Sequence, residues 1–160
     1  MKSTRIGFTG HQGLDAATGA SVLVALEALI SKLLPVTGIS SLAEGSDQIF
    51  ARAVLDAGGT LLVVVPCKEY EQTFKSEAAL NNYRTFLSRA SQIVKLDYVA
   101  PTEEAFWAAG QRVVLESERV VAVWDGKPAG GLGGTADVVE FARERGVHVD
   151  VVWPLGASRK

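Results

Sequence analysis

Residues 130–137 read GGLGGTAD and follow directly on VVAVWDGKPA. One tight turn needs one or two glycines. Four in five positions indicate that something must come close to the backbone. Gly130, Gly131, Gly133 and Gly134 leave their amides unobstructed, Thr135 offers a hydroxyl, and the segment from Thr135 onward has helical spacing. A helix N-terminus presents N–H groups without intrahelical partners and carries partial positive charge, so this constellation suits a phosphate. Asp125 ends the apolar run before the loop, and Asp137 adds a carboxylate just after it.

Three other stretches hold residues of comparable chemistry. In FTGHQGLD, Gly10 and Gly13 allow a sharp turn, and His11 is either a ligand contact or a surface residue. In AEGSDQ, Gly45 permits an unusual backbone angle, Ser46 is a candidate helix cap, and Glu44 and Asp47 flank them. These residues either only start a helix or surround a sugar or phosphate. In PCKEYEQTF, Cys67 is a candidate nucleophile or a core-edge thiol, and Tyr70 and Phe74 are candidates to stack on a base or to pack on a sheet. Only His11 and His148 are available as a histidine base.

The elements that must position these loops alternate. Strands are expected at 5–10, 38–45, 60–66, 92–96, 119–124 and 147–154. Between them lie helical patterns: Val22, Leu26, Leu29, Ile30 and Leu33 on one, stopped by Pro35 and Gly38, and Ile49, Phe50, Ala53 and Val54 on the next. Further helices are expected over EAALNNYRTFLSRA, over PTEEAFWAAGQRVVLES with Thr102 as N-cap, and over TADVVEFARER. Such alternation predicts an α/β fold, a Rossmann-like three-layer α/β/α sandwich with a mostly parallel sheet of about six strands. Ligands of such sheets sit beyond the carboxyl ends of the strands, where all four loops fall.

The 160 residues fit one domain, 1–160, with 48% hydrophobic and 21% charged residues, as in an ordinary folded protein. The net charge of −2 provides no electrostatic footprint for nucleic acid, which is not expected as a partner. A single cysteine permits no intrachain disulfide and no thiolate zinc site, and neither metal nor cofactor is expected. MKSTRIGFTG has no signal-peptide character, and SVLVALEALISKLLPV is too short and too interrupted to cross a bilayer. A cytoplasmic location without membrane attachment is the simplest expectation.

Several of these stretches together resemble a known group. SLAEGSDQIFARAVLDAGGTLLVVVP is similar to the second βαβ unit of the SLOG superfamily, the Rossmann-like domains shared by DNA-processing protein A and the lonely-guy phosphoribohydrolases. RVVAVWDGKPAGGLGGTADVVEFARERG resembles their segment with P-G-G-x-G-T-x-x-E, and FTGHQGL fits their first loop. The resemblance implies a nucleotide or nucleoside-phosphate pocket over the sheet, with Gly10, Gly45, Gly131, Gly133, Gly134 and Thr135 as binding residues. It also implies a homo-oligomer, since pockets in this superfamily are often completed across subunits; Trp107 is a candidate interface or core residue. Ala129 stands where the family has proline, and Val138 where it has glutamate, with Asp137 one place early and Glu140 two places late. The family's helix arginine has Arg112 as an approximate counterpart. The Asp-Gly and Gly-Thr-Ala also resemble nucleoside 2-deoxyribosyltransferases, which attack an anomeric carbon with a carboxylate.

Two functions are therefore expected as alternatives. One is a module that binds a nucleotide or nucleotide-derived ligand, with His11, Ser46, Asp47 and Asp125 beside the glycines. The other is an N-glycoside hydrolase or transferase acting on a nucleoside or nucleoside monophosphate, with Asp137 or Glu44 as the acid and Arg112 holding phosphate.

Overall fold

The computed structural model describes residues 2–128 and 131–159. Ala129 and Gly130, which the sequence places in the glycine loop, lie outside the described residues. Among the described residues, twelve elements follow one another along the chain. They are β1 (Thr4–Gly10), α1 (Ala16–Ser31), β2 (Val36–Ser40), α2 (Ser46–Asp56), β3 (Thr60–Val65), a 3-10 turn (Tyr70–Thr73), α3 (Glu77–Ser88), β4 (Gln92–Lys95), α4 (Glu103–Leu115), β5 (Arg119–Val123), α5 (Thr135–Glu144) and β6 (His148–Val152). The six strands form one sheet in the order β4-β3-β2-β1-β5-β6, with every named pairing parallel.

Local chemistry explains the helix starts. Asp15 caps α1 by accepting the Thr18 N–H at 2.7 Å, Ser76 caps α3 by accepting that of Ala79, and Thr102 caps α4 by accepting that of Ala105. Val22, Leu26 and Ile30 recur at i, i+4 and i+8, and form the buried stripe of α1. Leu61 to Val65 are all buried, because β3 lies inside the sheet with helices over both faces. Leu61, Val63 and Val65 join the core under α1 and α2, where Phe8 stacks on Phe50 at 4.6 Å; Leu62 and Val64 join the core under α4.

Two expectations need correction. The second strand is expected at 38–45 but runs Val36–Ser40, so Pro35 and Gly38 do not terminate α1, which ends at Ser31. The chain leaves the sheet at Ser40 because the Ser40 hydroxyl donates to Asp47 and accepts the Leu42 N–H, which turns the backbone. Ser46, expected as the cap of the second helix, is its first residue, and Gly45 occupies the cap position.

Gly45 has φ of +97°, and a Cβ there would lie 2.2 Å from the Gln12 carbonyl oxygen. The loops after β1 and β2 therefore meet backbone to backbone at this residue. Gly58 also has positive φ, +85°, but open space around it. Gly45→Ala is expected to cost more than about 2 kcal/mol and Gly58→Ala only about 1 kcal/mol, read from urea unfolding. Equal costs would show that the two loops do not depend on this contact.

Candidate functional site

The chain order reverses at β1, which has β2 on one side and β5 on the other. The connections leave in opposite directions there and open a crevice beyond the strand ends. A cleft of about 350 Å³ occupies it, lined by the loop after β1 (Gly10 to Gly13), the start of α5, the face of α4 at Ala109 and Gly110, and Asp47 and Tyr70.

The wall from the first two loops is knitted by hydrogen bonds. The Ser46 N–H and hydroxyl both donate to the His11 carbonyl, at 3.2 and 2.7 Å, and the His11 N–H donates to the Val123 carbonyl at 3.1 Å. A Cβ on Gly10 would fall 2.2 Å from the Ser46 Oγ, so glycine lets these loops close on each other.

The opposite wall is the loop after β5. Gly133 has φ of +84°, and a Cβ there would lie 2.8 Å from the Trp107 amide nitrogen, so the loop rests directly on α4. Gly134 takes the cap position of α5 without a side-chain cap, and Gly133, Gly134, Thr135 and Ala136 line the cleft. The amides of Thr135 and Ala136 are at positions that have no intrahelical acceptor. The Asp137 carboxylate accepts the Gly133 N–H at 3.0 Å, which tightens the loop and turns this acid towards it.

The charged groups divide by burial. Burial pushes the Asp47 carboxyl up to about 7, against the opposing hydrogen bonds from Ser40 and from the backbone at Ala43 and Ser41. Burial likewise drives the Tyr70 hydroxyl well above its ordinary value, with Asp47 adding to it. Burial and then Arg159 lower His11, so its ring is neutral near pH 7 despite Asp125 beside it. The Asp125 amide nitrogen and Asp125 Oδ1 both lie beside His11 Nε2, at 3.1 and 3.2 Å. Burial also works to raise Asp125, but the Lys127 amide, His11 and Arg159 outweigh it and hold this carboxyl below its usual range.

Of the residues the sequence nominates, Gly10, His11, Asp47, Gly133, Gly134 and Thr135 line the cleft together. Gly45, Ser46, Asp125 and Gly131 are not part of that lining: Ser46 is fully buried, and Gly131 is exposed, where a Cβ would meet Glu103 Oε1 at 2.6 Å. Glu44 and Arg112 are elsewhere. Glu44 accepts the Lys75 N–H, and Arg112 pairs with Glu116 on the outer side of α4. Trp107 packs edge-on against Phe141, and Tyr70 against Phe74, Tyr83 and Phe106. Burial raises the Cys67 thiol, which keeps it protonated near neutral pH. A second cavity, of about 450 Å³, lies beside Cys67, Tyr83 and Lys95 and shares Tyr70 with the cleft.

Sequence reasoning missed Lys127 and Arg159, the two cationic side chains lining the cleft. Lys127 lies two residues after Asp125 in a loop already singled out, so its position carried a signal. Arg159 lies past the last strand and carried none.

No protein-family model and no curated protein matches this chain. Solved structures do. DNA processing protein A from Streptococcus pneumoniae superposes with a TM-score of 0.68 at 20% identity, over 93% of this chain and 50% of that one. DNA processing protein A from Helicobacter pylori gives 0.68 at 17% identity, over 98% and 68%. The molybdenum cofactor carrier protein from Chlamydomonas reinhardtii gives 0.58 at 19% identity, over 94% and 76%. The chain spans half the length of the pneumococcal protein. Among the described residues, no helix is long and apolar enough to cross a membrane. Structural neighbours of this chain are Rossmann-like SLOG proteins, and the fold it has is theirs.

Proposed function

We propose that the chain binds a nucleotide or nucleotide-derived ligand in the cleft between the ends of β1 and β5, with its phosphate on the N-terminus of α5. The observation that carries this reading is that α5 starts without a side-chain cap and presents Gly133, Gly134, Thr135 and Ala136 to the cleft. Lys127 and Arg159 supply further positive charge there, and about 350 Å³ is in the size range of small-molecule pockets. Among the neighbours, one is described by its single-stranded DNA binding mode and another as a cofactor carrier. With a net charge of −2, a single nucleotide suits this cleft better than a polymer.

Calorimetry with nucleoside monophosphates, cyclic nucleotides and sugar nucleotides tests the reading directly. Binding by the wild type and a loss of about tenfold or more in Ala136→Glu are expected. A carboxylate at the second position of α5 favours the helix yet repels a phosphate, so the melting temperature should hold or rise as affinity falls. Undiminished binding in that variant would remove the phosphate from α5. Tighter binding of a single-stranded oligonucleotide than of any mononucleotide would replace the small ligand with nucleic acid.

One observation favours N-glycoside hydrolysis or transfer as a second reading. Asp47 lines the cleft with a carboxyl pushed up to about 7, the range in which a group can act as general acid or base at neutral pH. Base release from nucleoside monophosphates that disappears in Asp47→Asn would establish it, and no release from the wild type would leave binding alone.

The same group makes stability depend on pH. A carboxyl whose folded value is raised stabilises the fold below its unfolded value, near 4, and that contribution is lost as pH rises through about 7. The wild type is therefore expected to lose a few kcal/mol between pH 4 and 8 that Asp47→Asn does not lose, as measured by denaturant unfolding at each pH. Parallel pH profiles would mean that Asp47 ionises normally in the folded chain.

A further inference from the structure

The segment after β6 turns back onto the start of α1 and brings Arg159 to the cleft. Trp153 packs edge-on against the His11 ring at 5.5 Å, and a turn with Gly156 at φ of +80° closes on the Ala157-to-Pro154 hydrogen bond. Ser158 is then pinned twice: its N–H donates to Thr18 Oγ1 at 3.0 Å and its hydroxyl to Asp15 Oδ2 at 2.5 Å. Arg159 pairs with Leu14 as an antiparallel bridge. These contacts attach the segment to the start of α1 and carry the Arg159 side chain to the cleft, which it lines together with Thr135 and Lys127.

Once there, Arg159 is held loosely. Its Nη1 lies 3.5 Å from Asp125 Oδ2, longer than a direct charge-assisted hydrogen bond, and its side chain is 48% exposed. Asp125 does not depend on it, because Asp125 Oδ1 also accepts the Lys127 N–H at 3.0 Å. Withdrawing the guanidinium therefore leaves no stranded carboxylate. A planar group with five donors, anchored through its backbone and weakly held at its tip, is suited to exchange a carboxylate for a phosphate.

We propose that the segment 153–159 is a strap that delivers Arg159 to the ligand, with Asp125 as its resting partner and the ligand's phosphate as its bound partner. This rests on the nucleotide reading above and adds to it the residue that distinguishes a phosphorylated ligand from its dephosphorylated form. The backbone amides of α5 hold the phosphate from one side, and the guanidinium closes on it from the other. The Ser158 bonds to Asp15 and Thr18 persist in both states, so only the Arg159 side chain moves.

Calorimetry with AMP and adenosine on the wild type, Arg159→Gln and Arg159→Lys tests this, with thermal melting to confirm that each variant is folded. Arg159→Gln is expected to weaken AMP by about tenfold or more and to leave adenosine within about twofold, while Arg159→Lys falls between. AMP binding that is unchanged in a folded Arg159→Gln overturns the strap and leaves the nucleotide reading standing. Equal losses for AMP and adenosine overturn the assignment to phosphate. No binding of AMP or inorganic phosphate by the wild type overturns the strap, and the nucleotide reading falls with it if cyclic and sugar nucleotides fail to bind as well.

Discussion

The placement of β1 between β2 and β5 is the constraint on which the rest of the molecule depends. From β1 the chain builds outward through β2, β3 and β4, then returns to add β5 and β6 on the other side. Two loops that would otherwise cover the sheet end are thereby drawn apart, and the space between them is the cleft. Neither wall is free to collapse into it. The loop after β1 is tied to the start of α2 by the two Ser46 bonds to the His11 carbonyl, and the loop after β5 is pressed on α4 at Gly133.

The same economy governs the acids of the site. Asp137 is a first-turn residue of α5 whose carboxylate takes the Gly133 amide, so its contribution is to the shape of the loop. Asp125 holds the Lys127 amide and faces both His11 and Arg159. Asp47, tied to the end of β2 through Ser40, is the carboxyl nearest neutrality. Burial and hydrogen bonding thus give three aspartates at one sheet edge three different tasks.

Much of this was legible in the sequence. The apolar run TLLVVV fixed a strand covered on both faces, and the alternation with helical patterns fixed a parallel sheet. Gly133, Gly134 and Thr135 signalled a loop that ends in a helix start, and that start lines the cleft. The end of β2 was not legible, since it is set by the Ser40 hydroxyl engaging Asp47 seven residues on, which no period reveals. Nor was Arg159, whose place depends on Ser158 reaching Asp15 and Thr18 some 140 residues earlier. Arg112 and Glu44 had the right chemistry, but helix rotation and loop direction send them to other surfaces.

Amide chemical shifts read the proposed phosphate position at the start of α5 directly. On titration of the isotopically labelled chain with AMP, the largest shifts are expected on the amides of Thr135 and Ala136, with smaller ones at Gly10 and His11. Shifts absent from Thr135 and Ala136, or concentrated around Cys67 and Lys95 beside the second cavity, would contradict it.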